Sequence, residues 1–94
     1  MRELGGKYRD RFEIVLSVLK AIKEEEPAKA MKVMYKSALS WNYMKLMLKQ
    51  LMDAGLIVMV DDPKTKRKAY YITAEGEVAI KILEAAKEIM RKLG

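Results

Sequence analysis

Hydrophobic positions along the 94-residue chain recur first at helical and then at strand spacing. Phe12, Val15, Leu16, Leu19 and Ile22 stand three and four residues apart, which predicts a helix from about Tyr8 to Glu25. Ile14, Val18 and Ala21 widen its apolar stripe, as suits a helix central to a domain. Met1 to Lys7 precede it and are expected to fray. Pro27 follows Glu24-Glu25-Glu26 and fits the start of a second helix, where its missing N–H costs nothing. That helix is expected from about Ala28 to Ser37, with Met31, Met34 and Tyr35 facing inward. Ser37-Ala38-Leu39-Ser40 forms a short turn, and Ser40 is a good N-cap for a third helix. Trp41, Met44, Leu48, Leu51 and Met52 share one side of it, which assigns Trp41 to the core. Gly55 stands where a left-handed glycine would end it.

The period then changes. Leu56 to Val60 and Ala69 to Thr73 read as two strands, joined by a loop from Asp61 to Lys68 that is longer than a tight turn. Thr73 caps a last helix, about Ala74 to Leu93, and Gly76 occupies the place of a capping-box Glu, so that box is absent. Neither repeats nor low-complexity tracts interrupt residues 1–94, which are expected to form a single domain. Mainly α with a β-hairpin (α+β), with three helices ahead of the hairpin, the order is that of a winged helix-turn-helix.

Val33-Met34-Tyr35, Leu39-Ser40-Trp41, Met47-Leu48-Lys49, Leu51-Met52 and Gly55-Leu56-Ile57 resemble the small archaeal winged-helix DNA-binding proteins. These include the ten-kilodalton chromatin proteins of crenarchaea. Tyr70-Tyr71-Ile72-Thr73 with Gly76 resembles the family's tyrosine-x-hydrophobe-threonine and glycine, and the likeness covers roughly residues 12 to 93. Many relatives place a glycine where this chain has Lys36, and its wing loop is longer and more basic. The resemblance implies DNA binding and a C-terminal helix that pairs two chains in an antiparallel coiled coil.

Composition narrows the chemistry. There is no cysteine and no histidine, which removes disulfide scaffolds, zinc fingers, thiol nucleophiles and imidazole triads. Glu24-Glu25-Glu26 and Asp61-Asp62 are sequential clusters, read as a solvated helix end and a turn former. No enzyme and no cofactor are expected. The longest apolar run, Leu56 to Val60, is too short to span a membrane, and a cytoplasmic protein is expected. Asn42 and Gln50 are the only amides, which leans towards a thermophile, while eight methionines lean against.

Net charge is +6, and its distribution is independent of the resemblance. Residues 1–26 and 73–94 are each neutral, whereas residues 27–60 carry five basic groups against Asp53 alone and residues 61–72 carry four against two. The whole excess therefore lies in the second helix, the third helix and the hairpin, the elements with which a winged helix meets DNA. Lys29, Lys32 and Lys36 form one stripe. Lys45 and Lys49 share a side of the third helix, with Ser40, Asn42, Tyr43, Leu46 and Gln50 around them. Asn42 and Gln50 suit bidentate contacts to adenine, and the lysines suit guanine or phosphate. Lys64, Lys66, Arg67 and Lys68 crowd the wing.

Each feature alone also fits a solvated face or a blunted hairpin, but their coincidence favours double-stranded DNA. Sequence-specific regulation and an architectural, nucleoid-associated role fit equally. A protein-interaction subunit using Tyr43, Leu46 and the wing is the alternative. RNA and any small-molecule effector are left open. On the last helix Ala79, Ile82, Ala86, Ile89 and Leu93 form a coiled-coil seam that Leu83 and Met90 broaden, which predicts a homodimer.

Overall fold

The computed structural model describes residues 10–94. Its elements are α1 (Arg11–Glu24), α2 (Ala30–Ser37), α3 (Trp41–Asp53), β1 (Ile57–Asp61), β2 (Lys68–Ile72) and α4 (Ala74–Leu93). The expected fraying at Met1 to Lys7 lies outside the described residues. Three helices followed by an antiparallel hairpin and a long last helix are the winged helix-turn-helix architecture anticipated from the pattern. Among the described residues, no helix is long and apolar enough to cross a membrane.

Asp10 caps α1 by accepting the Glu13 N–H at 2.9 Å. The helix buries Ile14, Leu16, Val18, Leu19, Ala21 and Ile22, so the residues that widened its stripe are the core itself. Val33 of α2, Met44 and Met47 of α3 and Ile57 of β1 close over it. Ser40 caps α3, accepting the Tyr43 N–H at 3.2 Å, and Gly55 ends it at φ 78°. In the turn between α2 and α3, the left-handed residue is Ala38, at φ 55°.

The second helix departs from the pattern read in the sequence. It begins at Ala30, so Pro27 lies three residues ahead of it instead of at its first position. Ala28 is held elsewhere: its N–H donates to the Tyr70 carbonyl at 3.0 Å and its carbonyl accepts the Tyr70 N–H at 2.8 Å. It thus adds a single rung outside β2. With its start displaced, α2 buries Val33 and Ser37, one helical turn apart, and half-buries Met34. Met31 and Tyr35, expected inside, are 49% and 70% exposed.

In the hairpin, Ile57 pairs with Ile72 and Asp61 with Lys68 at its far end. The Asp62 N–H donates to the Arg67 carbonyl at 2.8 Å and closes the loop. At its base the ribbon is tied to α4. The Thr73 N–H donates to the Leu56 carbonyl at 3.1 Å, and the Thr73 hydroxyl donates to the Gly55 carbonyl at 2.8 Å. The same hydroxyl oxygen accepts the Gly76 N–H at 3.0 Å as the cap of α4. Gly76 is buried, and a Cβ there would stand 2.2 Å from the Leu56 carbonyl oxygen. Its place in the sequence thus follows from close approach and not from a missing capping box.

Ile80, which the seam reading omitted, is the α4 side chain that enters the core, with Ala79 and Leu83 packed beside it. From Glu84 onward no residue of α4 is buried.

Helix propensity alone predicts that Gly76→Ala stabilises the protein by about 1 kcal/mol. The backbone approach predicts the opposite sign, a loss of about 1–3 kcal/mol from overpacking against an atom that cannot step aside. Urea denaturation of the two proteins decides between these signs.

Candidate nucleic-acid interface

Helix α3 turns one side to the core and leaves Asn42, Lys45, Leu46 and Lys49 exposed, with Tyr43 and Gln50 half-buried. The outward face is therefore narrower than its sequence suggested, because Tyr43 packs partly against the core. Trp41, assigned to the core, is 44% exposed. It is the first residue of the helix, and Met44, one turn on, fills the interior in its place. The Lys45 ammonium stands 6.0 Å from the centre of the Trp41 ring, at the outer reach of a cation–π contact.

The predicted basic residues divide into two groups. Lys29 bridges to Asp62 at 3.2 Å and braces the entry of α2 against the wing. Lys36 turns back to α1, 3.1 Å from Glu24 and 3.4 Å from Glu25, whose hydrogen bonds hold its ammonium pKa above the ordinary value. Lys49 pairs with Asp53 at 3.2 Å and Lys68 with Asp61 at 3.8 Å, both in the open. Lys32, Lys45, Lys64, Lys66 and Arg67 form no ion pair with a described carboxylate. Within the stripe of Lys29, Lys32 and Lys36, the two ends pair with acids from other elements and Lys32 pairs with no described carboxylate.

At the wing tip the Asp62 carboxylate accepts the Lys64 N–H at 2.9 Å, and the Arg67 N–H donates to the Thr65 hydroxyl oxygen at 3.3 Å. These local bonds shape the loop while Lys64, Lys66, Arg67 and Lys68 project into solvent. Ser40 is exposed beside the start of α3, its hydroxyl oxygen engaged as the cap. Arg11 is a residue the sequence did not single out. Its guanidinium donates to the Gln50 side-chain oxygen at 2.5 Å, so the first helix adds a cation beside α3 and fixes the Gln50 amide. No local pattern signals this, because the partners lie 39 residues apart.

A family model described as winged helix-turn-helix matches residues 8–92. No curated protein sequence matches the chain. Among solved structures, the chain is similar to Sso10a-2, a DNA-binding protein from Sulfolobus solfataricus, with a TM-score of 0.80 and 24% identity over 90% of this chain and 85% of that one. It is similar to the PcaV transcriptional regulator from Streptomyces coelicolor, with a TM-score of 0.79 and 22% identity over 84% of this chain and 57% of that one. MepR of Staphylococcus aureus, solved with DNA, matches with a TM-score of 0.69 and 15% identity over 92% of this chain and 61% of that one. The chain thus spans little more than half the length of these two regulators.

Asp62 links wing order to pH. The Lys64 N–H, and after it Lys29, hold its carboxyl below the ordinary value of 3.8. A lowered folded-state pKa means that this contribution is complete above about 3.8 and is lost as pH falls through the lower folded value. Amide exchange at Lys64, followed by NMR through that acid range, should accelerate on protonation. In Asp62→Asn this pH step should vanish.

Proposed function

The chain belongs to the winged helix-turn-helix family, and from that premise we propose that it binds double-stranded DNA as a homodimer, without a cofactor or catalytic chemistry. The observation that carries this reading is the set of cations on α3 and the wing that pair with no described carboxylate, Lys45, Lys64, Lys66 and Arg67. Such cations are free to release counterions from phosphates, the main source of duplex affinity.

In this reading α3 enters the major groove. Asn42 and Lys45 reach base edges from its front half, while Lys49 and Lys68 exchange their exposed carboxylate partners for phosphate. Such exposed pairs are worth less than about 1 kcal/mol, so they give way readily. Lys29 and Lys36 hold the frame, Lys32 adds a peripheral phosphate contact, and Gln50 is oriented by Arg11. The likeness to Sso10a-2, a DNA-binding protein, and to MepR, solved with DNA, supports DNA binding. Regulation at a two-fold site and an architectural role both use it, and they differ in how far Asn42 and its neighbours read bases.

The dimer reading rests on α4. Ile82, Ile89, Met90 and Leu93 are exposed, Leu93 by 77%, while Ala86 is half-buried. Ala79 and Leu83 already pack on the domain's own core, so the pairing face is the outer side of the helix and its distal half. A helix end this short is marginal in water by itself, and a second copy would cover its apolar side.

Replacing Lys64, Lys66, Arg67 and Lys68 by Ala should weaken all duplexes alike. The slope of log K against log salt should flatten by up to ~0.9 for each phosphate no longer neutralised. Absence of duplex binding by the natural protein at low salt would sink the DNA reading and favour a protein-interaction subunit.

Assembly has its own test. Ile89 is 58% exposed in the single chain, so Ile89→Lys should leave the fold intact and yield a monomer in sedimentation. A lysine buried without a partner in the dimer would cost several kcal/mol, roughly enough to dissociate it. Duplex affinity should fall with it, since each chain supplies half of the phosphate-binding groups. A natural protein that is already monomeric at micromolar concentration contradicts the dimer.

A further inference from the structure

Gln50 carries the chemistry of an adenine reader, but its side chain is already engaged. The Arg11 guanidinium donates to the Gln50 side-chain oxygen at 2.5 Å, across 39 residues of sequence. A guanidinium has donors and no acceptor, so only the amide oxygen can face it, and the NH2 group is the end left open. Arg11 is exposed and pairs with no described carboxylate, while the neighbouring Asp10 carboxylate is taken up in capping α1. The pair therefore offers donors alone, the Gln50 NH2 and the remaining guanidinium N–H groups. Its place on α3 is equally specific. Eight residues after Asn42, Gln50 stands about 80° round the helix from it, half-buried on the flank towards α1. Lys45 stands about 60° round the other way, on the flank that lines a groove between α3 and the wing.

We propose that Arg11 and Gln50 together seat a phosphodiester oxygen of the duplex, on the side of α3 away from the wing, and that Gln50 positions the duplex without reading adenine. This role rests on the reading that the chain binds duplex DNA through α3. Adenine offers an acceptor at N7 and a donor at N6, and the amide oxygen needed for that donor is held by a charged group. A phosphate oxygen only accepts, carries negative charge and matches every open group of the pair. With α3 in the major groove, the Asn42 side faces base edges and the two flanks face the phosphate walls, roughly 12 Å apart. The wing cations then serve one wall and Arg11 with Gln50 the other. The helix is thus held from both sides, and α1 takes part in binding through a residue that never enters the groove.

Anisotropy titrations of labelled duplexes across a range of salt test the assignment. Arg11→Ala should weaken every duplex alike and flatten the slope of log K against log salt by about 0.9, the share of one phosphate. Arg11→Lys, which keeps the charge, should keep the slope. Gln50→Glu separates contact from scaffolding. Its carboxylate would pair with Arg11 and keep α1 tied to α3, so the urea midpoint should hold. The added negative charge should nevertheless weaken duplex binding by at least about tenfold. Gln50→Ala should weaken random and preferred duplexes by the same factor, and selection from a random pool should return the natural protein's base preferences. Three results overturn the phosphate seat and leave the DNA reading intact: natural affinity and slope in Arg11→Ala, natural affinity in a folded Gln50→Glu, or loss of a preferred adenine in Gln50→Ala. If the natural protein takes no duplex at low salt, the DNA reading itself fails and the seat fails with it.

Discussion

At Gly76 the first turn of α4 lies so close to the Leu56 carbonyl that a Cβ would stand 2.2 Å from the oxygen. Thr73 completes the junction by donating to Gly55 through its hydroxyl and to Leu56 through its N–H. The end of α3, the root of β1 and the start of α4 are thereby held in one small knot of backbone. A two-stranded ribbon is marginal in water without such support, so the position of the wing relative to α3 depends on this junction. The rung between Ala28 and Tyr70 secures the ribbon from the opposite edge. The distance between α3 and the wing tip is therefore a property of the core, although both elements face solvent.

Charge is allocated on the same frame. Acids from α1 and the hairpin neutralise Lys36 and Lys29, where the cations lie against neighbouring elements and brace them. On the outer side of α3 and at the wing tip, cations either pair with no described carboxylate or have weakly held, exposed partners. Solvent screening makes the first arrangement a modest structural aid and leaves the second available to another polyelectrolyte. Excess charge by itself does not separate these two populations. The presence of a carboxylate partner, and how far that pair is exposed, does.

A domain of this size buries too little to enclose every apolar side chain it carries. Two exposed apolar surfaces differ in form. The outer side of α4 is a convex helical stripe suited to a second helix. The groove beside Trp41 is concave and lies between α3 and the wing, with Met31, Met59 and the core residues Met44 and Leu48 in its lining.

Much of the architecture was legible along the chain because the signals are local. Three-four spacing marked α1, the Ser40 and Thr73 hydroxyls marked two helix starts, Gly55 marked an end, and alternation of period marked the hairpin. The basic bias of α3 and the wing was equally plain, since summing charge needs no coordinates. What only the tertiary structure decided involves pairs far apart in sequence. Ala28 joins Tyr70 and delays α2, which turns Met31 and Tyr35 outward. Met44 fills the interior and leaves Trp41 at the groove. Glu24 and Glu25 occupy Lys36, Arg11 finds Gln50, and Ile80, outside the seam, enters the core. Periodicity specifies that a helix has an apolar side, but which of several adjacent apolar residues is buried depends on the helix's rotation against its neighbours. That rotation is set by long-range backbone contacts, and no stretch of sequence contains both halves of one.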